Sequence, residues 1–163
     1  MKNRLFRLPS NVNCTALNNS VIIEGPSGKL KVLIFTKFQQ KFNAIRFARP
    51  LTWNEITQLK QAIVGVSLSY TVELQLKGIG FKAEKVKDLL VLKLGYSHLS
   101  RLIIPSLITV SIIKNSIHMT SASLNDLKSF SGKIRCLSLP DCYKGQGIIY
   151  KDEITFKKEG KKI

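Results

Sequence analysis

The sequence is poor in acidic side chains, histidine and cysteine. Of its 163 residues, ten are aspartate or glutamate, two are histidine and three are cysteine. The acids are scattered, whereas a nuclease or a nucleotide-handling enzyme needs carboxylates grouped around a metal or a reacting proton. The cysteines lack CxxC spacing, and their odd number does not fit a disulfide framework. We therefore predict no catalytic residue, no metal, no cofactor and no small-molecule substrate.

Long hydrophobic runs are also missing. No apolar stretch approaches the roughly 20 residues of a membrane-spanning helix, and no secretory signal is visible. Apolar residues nevertheless make up 44% of the chain, which argues against full-length disorder and provides material for a core. The sequence predicts one or two small folded domains without a membrane span, preceded by a basic arm that contains Lys2, Arg4 and Arg7.

Positive charge is what the chain has in excess. Lysine and arginine total 26, and the formal net charge is +16. Solubility alone accounts for a magnitude of roughly 2–8 in a small domain. The excess is spread along the chain, with net +8 in residues 1–50, +4 in 51–122 and +4 in 123–163. This spread favours a protein that touches a polyanion, such as nucleic acid or an anionic membrane, through several parts of its surface. A solvated basic face without a partner is the alternative.

Two stretches of the chain repeat each other. Pro9–Glu24 and Pro105–Thr120 each begin with Pro-Ser and carry an Asn-Ser turn at the same position. Apolar residues alternate on both sides of that turn, which is typical of a strand, a polar turn and a second strand. The pattern therefore predicts two copies of one hairpin.

A helical pattern repeats as well. Thr52 with Glu55, and Ser123 with Asp126, place an acid three residues after a hydroxyl, the pattern that caps a helix N-terminus. Apolar residues then follow at i, i+3 and i+7, on one face of each helix; they are Ile56, Leu59, Ile63, Leu127, Phe130 and Ile134.

Further strands complete both copies. Two are expected within Lys31–Thr36 and Phe42–Ala48 and give the first copy an extra hairpin, and another is expected over Val66–Lys77. Phe81–Val86 and Leu89–Leu94 alternate around a Lys-Asp turn. We predict an α+β fold that is a tandem duplication of a small antiparallel sheet packed against one helix, with domains at 1–72 and 73–163.

Glycines mark the candidate binding segments. Gly78-Ile-Gly80 predicts a tight bend, because it lacks the third glycine and the helix of a dinucleotide site. Tyr143-Lys144-Gly145-Gln146-Gly147 is not a Walker loop, but its glycines would let backbone N–H groups approach a phosphate. Lys144 and Lys151 would add charge, and Tyr143 and Tyr150 would stack or donate their hydroxyls. A purely structural turn is the alternative.

Two more segments are candidates for the same partner. Ser97 and His98 are adjacent in an extended segment and point to opposite faces, so they do not form a catalytic dyad. With Tyr96 they form instead a polar loop that could donate to RNA sugar or phosphate groups. The C-terminal lysines form a charge run that is solvated alone and orders on a polyanion; they are Lys157, Lys158, Lys161 and Lys162.

The motifs resemble a known family. Gly78-Ile-Gly-Phe-Lys-Ala83, Leu94-Gly-Tyr-Ser-His98 and Pro140-Asp-Cys-Tyr-Lys-Gly-Gln-Gly-Ile-Ile-Tyr150 match, in order and spacing, the large-subunit ribosomal protein six (universal L-six) family. The third is similar to the family's PEPYKGKGIRY-like motif. In the first half, Glu24-Gly-Pro-Ser-Gly-Lys-Leu30 is similar to the family's GPKGEL-like turn.

This resemblance implies a non-catalytic constituent of the large ribosomal subunit. The family's C-terminal domain binds large-subunit rRNA near the sarcin–ricin region and the stalk base, beside neighbouring ribosomal proteins. Carried over by motif, the rRNA contacts are expected at Tyr143, Lys144, Gly145, Gly147, Tyr150 and Lys151, with Tyr96, Ser97, His98 and the tail lysines as additions. A nucleic-acid-binding protein that acts outside the ribosome is the alternative.

Composition bears on where such a protein would work. Lysine outnumbers arginine 20 to 6 and isoleucine occurs 18 times, a bias that AT-rich genomes produce. Gln146 and Ile149 replace residues that are usually basic in the family. With the Gly-Lys-Lys ending, these departures resemble organelle-encoded mitochondrial members; a plastid or bacterial origin is the alternative.

Overall fold

The computed structural model describes residues 5–17, 20–34, 38–41 and 44–160. The expected basic arm lies largely outside them, because Lys2 and Arg4 precede the described residues. Contacts divide the chain into two compact units, one of Met1–Tyr70 with Ser121–Leu124 and one of Thr71–Thr120 with Asn125–Ile163. The sequence placed the boundary two residues later and assigned no part of 121–124 to the first unit.

The N-terminal unit combines two small antiparallel sheets with one helix. Its elements are β1 (Leu5–Arg7), β2 (Asn13–Leu17), β3 (Ser20–Gly25), β4 (Gly28–Leu33), β5 (Phe38–Lys41), β6 (Ala44–Phe47) and α1 (Trp53–Leu68). The sheets have the strand orders β2-β3-β4 and β1-β6-β5. The apolar face of α1 buries Ile56 and Leu59 in a core shared with both sheets, and Ile63 packs against it.

The C-terminal unit has a four-stranded sheet, a three-stranded sheet and one helix. Its elements are β7 (Tyr70–Lys77, which begins one residue before the unit boundary), β8 (Lys82–Val86), β9 (Leu89–Lys93), β10 (Ser100–Ile103), β11 (Ile108–Ile113), β12 (Ser116–Ser121), α2 (Leu124–Cys136) and β13 (Gly147–Tyr150). The sheets are ordered β11-β12-β7-β13 and β10-β9-β8. Leu127, Phe130 and Ile134 of α2 are buried, as their spacing predicted.

The duplicated hairpins are confirmed down to their first turn. Just before β2 the N–H of Val12 donates to the carbonyl of Pro9 at 3.2 Å, and at the start of β11 the N–H of Ile108 donates to the carbonyl of Pro105 at 3.0 Å. Proline therefore occupies the first position of the same turn in both copies. The α+β class and the sheet-and-helix repeat are therefore as expected.

The elements differ from the predictions in several places. Val66, Ser67 and Leu68 were expected to begin a strand, but they form the last turn of α1, and β7 begins at Tyr70. The extra hairpin was expected between Lys31–Thr36 and Phe42–Ala48, but β4 pairs with β3, and the hairpin is β5–β6. The strands β1, β10 and β13 were not predicted. Short apolar runs fit either a helix end or a strand start, and the tertiary contacts decide between them.

The start of α1 shows the predicted cap. The backbone N–H and the hydroxyl of Thr52 both donate to Glu55, at 2.8 and 2.9 Å, and Arg49 donates to the other carboxylate oxygen at 2.8 Å. The N–H of Thr52, followed by Arg49, holds the pKa of Glu55 below its ordinary value.

This cap predicts an acid-dependent loss of stability. A carboxyl whose pKa is lowered on folding stabilises the folded state above its unfolded pKa, and the contribution disappears as the pH falls through the folded value. We expect Glu55→Gln to be less stable than the wild type near neutral pH. The difference should begin to shrink near about pH 4.3, the ordinary glutamate value, and should vanish only below the lowered folded pKa. Urea unfolding followed by the fluorescence of Trp53 at several pH values measures it.

A matched control is available on β8. Glu84 is exposed there and forms no ion pair with the described residues. Glu84→Gln should leave the pH profile of the N-terminal unit unchanged. A Glu55→Gln profile parallel to the wild type at all pH values would contradict the cap's contribution.

The three cysteines are free thiols. Cys14 is buried on β2, and burial raises the pKa of its thiol to about 11. Cys136 and Cys142 are exposed.

Among the described residues, neither helix has the length and apolar composition that crossing a bilayer requires.

Candidate nucleic-acid interface

The loop between α2 and β13 is closed on itself by Asp141. The N–H of Gly145 donates to the Asp141 carbonyl at 3.0 Å, and the N–H of Asp141 donates to the Gln146 carbonyl at 2.9 Å. The N–H of Lys144 donates to the Asp141 carboxylate at 3.0 Å. Donation from Lys144, then Tyr143 and Cys142, lowers the pKa of Asp141. The loop is therefore rigid, with the side chains of Tyr143 and Lys144 exposed on its outside.

The two loop glycines have a different role from the expected one. Both are buried, and the Gly145 N–H already has an acceptor, so a cradle of free backbone donors for phosphate is not what they provide here. Gly147 has φ 147°, and a Cβ there would lie 2.6 Å from Pro140 Cα. A Cβ on Gly145 would lie 2.9 Å from Lys157 Cε. Gly147 therefore admits a backbone neighbour that a side chain would exclude, while Gly145 has φ 68°, which favours glycine.

Three lysines surround a cleft beside this loop. Lys77, Lys144 and Lys157 line a volume of about 320 Å³. Lys77 reaches it because β13 pairs with β7 in a register that sets Gly147 opposite Lys77. No acidic side chain lines this lysine cleft; its other lining residues are Gly78, Ile79, Gly145, Gln146 and Thr155.

The lysine cleft has an uncompensated positive charge. Within the described part of the chain, none of its three ammonium groups forms a salt bridge. Lysine ammonium groups that converge without acids form a site for an anion with several acceptor oxygens, such as a phosphate. Lys77 was not among the residues predicted from the sequence. Its only local signal is its position immediately before the glycine bend.

The Tyr96 loop is tied to the same end of the unit. The Tyr96 hydroxyl donates to the Leu137 carbonyl at 3.1 Å. The rings of Tyr96 and His98 stack, with centroids 5.8 Å apart, and Ser97 is exposed between them. Phe81 packs close to both Gly78 and Gly95, which joins the glycine bend to this loop. We call the segments 77–81, 95–98, 137–147 and 155–158 together the loop end.

The tail completes the loop end. The N–H of Lys158 donates to the Cys142 carbonyl at 3.0 Å, and the Lys157 side chain lies over Gly145. Both lysines are exposed to solvent. Lys161 and Lys162 lie outside the described residues.

Tyr150 and Lys151 are not part of the lysine cleft. The Arg135 guanidinium lies 5.4 Å from the centre of the Tyr150 ring, and the Tyr150 and Ser131 hydroxyls are 3.4 Å apart. Lys151 Nζ donates to Glu73 Oε2 at 2.8 Å. This bond is the first cause of a lowered Glu73 pKa and a raised Lys151 pKa. Tyr150 and Lys151 therefore contact α2 and β7, whereas the other described candidate residues lie at the loop end.

The described residues contain no candidate metal site. Among the described residues, no three histidine, cysteine, aspartate or glutamate side chains gather to hold a metal ion. His98 stacks on Tyr96, so that its ring contacts an aromatic neighbour and not an acid. What the loop end offers is ammonium groups, aromatic faces and hydroxyls, which are the groups that contact nucleic-acid backbones and unpaired bases.

Comparison with known proteins gives consistent relatives. The chain is 32% identical to large ribosomal subunit protein uL6c of Phaeodactylum tricornutum, over 94% of this chain and 93% of that protein. It is 30% identical to uL6 of Lacticaseibacillus casei, over 97% and 95%, and 32% identical to uL6 of Mycoplasmoides gallisepticum, over 98% and 94%. Models of protein families give no match.

Proposed function

The chain belongs to the uL6 family of large ribosomal subunit proteins, and from this premise we propose that its loop end binds large-subunit rRNA. Its role is that of a structural constituent of the subunit. We place the bound rRNA near the sarcin–ricin region and the stalk base, with other large-subunit proteins beside it. The rRNA contacts we propose are Lys77, Tyr96, Ser97, His98, Tyr143, Lys144, Lys157 and Lys158, on a loop shaped by Gly145 and Gly147, with Lys161 and Lys162 extending them.

The lysine cleft is the observation that carries this proposal. Phosphate groups supply most of the affinity of a protein for nucleic acid, because basic side chains release counterions as they neutralise them. Three lysines that form no salt bridge among the described residues meet that requirement in a cleft that no acidic side chain lines. The exposed Tyr143 and the Tyr96–His98 stack add faces on which unpaired RNA bases can stack.

Incorporation into the large subunit tests the function and its location together. A photo-crosslinking residue in place of Tyr143 should yield a crosslink to rRNA of the sarcin–ricin region in subunits that keep the protein through a high-salt wash. The same residue in place of Trp53, exposed on α1, is the control, and it should not crosslink to that region. A protein that the wash removes would favour a nucleic-acid-binding role outside the ribosome. Retention with Tyr143 crosslinks only elsewhere would refute the proposed location.

For the compartment we propose a mitochondrial ribosome with an organelle-encoded gene. The excess of lysine over arginine and the 18 isoleucines support an AT-rich genome. The relatives include bacterial uL6 proteins and the uL6c of Phaeodactylum tricornutum, and a plastid or bacterial ribosome is the alternative. Fractionation of organelles followed by detection of the protein in their large subunits distinguishes these compartments.

A further inference from the structure

The segment after β13 begins with a short hydrogen-bonded turn. The N–H of Glu153 donates to the Tyr150 carbonyl at 3.1 Å, and the N–H of Tyr150 donates back to Glu153 Oε2 at 3.2 Å. Beyond this turn, residues 154–160 form no strand or helix. The direction in which the tail leaves the sheet is therefore set by what holds residues 150–153.

One side of this turn is held by α2. Arg135 forms an ion pair with Glu153 Oε1 through its Nη2, and its guanidinium lies over the Tyr150 ring. The Tyr150 hydroxyl also lies 3.4 Å from that of Ser131, which is buried. Both the tyrosine and the acid of the turn are thereby attached to the helix.

The other side is held by β7. The N–H of Lys151 donates to the Glu73 carbonyl at 3.1 Å, and Lys151 Nζ donates to the Glu73 carboxylate at 2.8 Å. His118 Nδ1 of β12 lies 3.5 Å from the same carboxylate oxygen. The Glu73 side chain is only 17% exposed. The main chain and the side chain of Lys151 are therefore bound to one residue of the neighbouring strand.

We propose that Lys151 is a positioning residue, which together with Arg135 and Glu153 latches the start of the tail so that Lys157 and Lys158 reach the loop end. This inference rests on the proposed binding of rRNA by the lysine cleft. The latch explains how a tail without regular structure brings Lys157 over Gly145 and the Lys158 N–H to the Cys142 carbonyl.

The charge around Lys151 argues against a direct rRNA contact. Its ammonium group is paired with a carboxylate, whereas the three cleft lysines form no salt bridge among the described residues. A phosphate at Lys151 would have to share that ammonium with the Glu73 carboxylate, which repels it. The motif therefore divides by role: Tyr143 and Lys144 face outward to the partner, and Tyr150 and Lys151 hold the structure behind them.

The first test needs no RNA. In Lys151→Met, which removes the charge and keeps the chain length, the amide NMR resonance of Gly145 should shift, because Lys157 leaves its position over that residue. Exchange of the two charges in Glu73→Lys with Lys151→Glu should restore the resonance. Lys60→Met, at an exposed site on α1, is the matched control. An unchanged Gly145 resonance in Lys151→Met would overturn the latch whatever the chain binds.

The second test uses an rRNA fragment that spans the sarcin–ricin region, at a temperature where all variants remain folded by circular dichroism. Lys151→Met should weaken binding by roughly 3- to 10-fold, the range expected for a residue that acts through others. Because bound RNA can order the freed tail again with Lys157 on a phosphate, the loss is a cost of ordering, and the slope of log affinity against log salt concentration should stay unchanged. The charge exchange should restore the affinity.

The other outcomes separate the roles. A slope reduced by about 0.7–0.9, the value of one lost phosphate contact, that the charge exchange does not restore would show that Lys151 touches RNA and would overturn positioning. Equal affinity for wild type and Lys151→Met would overturn it as well. A wild type that does not bind the fragment would refute the proposed function, while the Gly145 resonance would still report on the latch itself.

Discussion

Reversing the charge of Lys144 and Lys157 together should weaken binding of the sarcin–ricin rRNA fragment by about 100-fold or more at moderate salt. Each lysine removed from a phosphate forfeits a charge-assisted hydrogen bond of about 1.5–3 kcal/mol, and about 1.4 kcal/mol corresponds to a tenfold change in affinity. Both side chains line the same acid-free cleft, so that two glutamates there would repel the phosphate that two lysines attracted. Fluorescence anisotropy over a range of salt concentrations measures the change.

The salt dependence makes this prediction specific to contacts. Two lost phosphate contacts should reduce the slope of log affinity against log salt by about 1.4–1.8. Lys60→Glu with Lys128→Glu is the matched control, because it changes the net charge equally at exposed sites on α1 and α2. If this control weakened binding as much, the affinity would depend on the net charge of the whole chain. That result would contradict the proposed phosphate contacts in the lysine cleft.

A second large effect is expected on stability, from a glycine inside a helix. Gly65→Ala should destabilise the N-terminal unit by about 2 kcal/mol or more, the scale of overpacking in a close-packed interior. A Cβ at residue 65 would overlap the Ala122 carbonyl oxygen and would lie 2.8 Å from Tyr70 Cε2. Because the nearest atom is backbone, a change of side-chain rotamer cannot relieve the overlap.

The matched substitution on α2 should change the stability in the opposite direction. Gly132 is also inside a helix, and no atom lies within 4 Å of the Cβ it lacks. Gly132→Ala should therefore stabilise the protein by about 1 kcal/mol, as the helix propensities of the two residues predict. Urea unfolding followed by circular dichroism compares the two variants. A Gly65→Ala protein as stable as Gly132→Ala would contradict the close packing at Ala122.

Local patterns predicted most of the fold. Alternation marked the β8–β9 hairpin, i, i+3, i+7 spacing marked the buried faces of α1 and α2, and Thr52 with Glu55 marked the start of α1. These signals depend on residues a few positions apart, which a sequence displays directly. The end of α1 was not predicted, because a short apolar run such as Val66–Leu68 fits either a helix end or a strand start. The helix is favoured because it buries Val66 in the N-terminal core.

The rRNA contacts expected from the motifs stay predictions. The Tyr96 hydroxyl bonds to Leu137 and the Lys144 N–H to Asp141. Lys77 was not predicted, and our proposals for the glycines and for Lys151 differ from the expectations, because each depends on a neighbour distant in sequence. Gly147 meets Pro140, Gly145 meets Lys157, and Lys151 meets Glu73, which is 78 residues earlier.

The sequence by itself determined the class of partner and the repeated plan of the molecule. A net charge of +16 favours a polyanionic partner, and the two Pro-Ser hairpins and the amphipathic helices depend on residues only a few positions apart. The tertiary structure alone decided which cations are free to bind. The register of β7 against β13 sets Lys77 beside the glycine loop, while Lys151 is paired with Glu73 on β7. A lysine binds phosphate well only where no carboxylate already neutralises it, and that condition is fixed by strand pairing, not by composition.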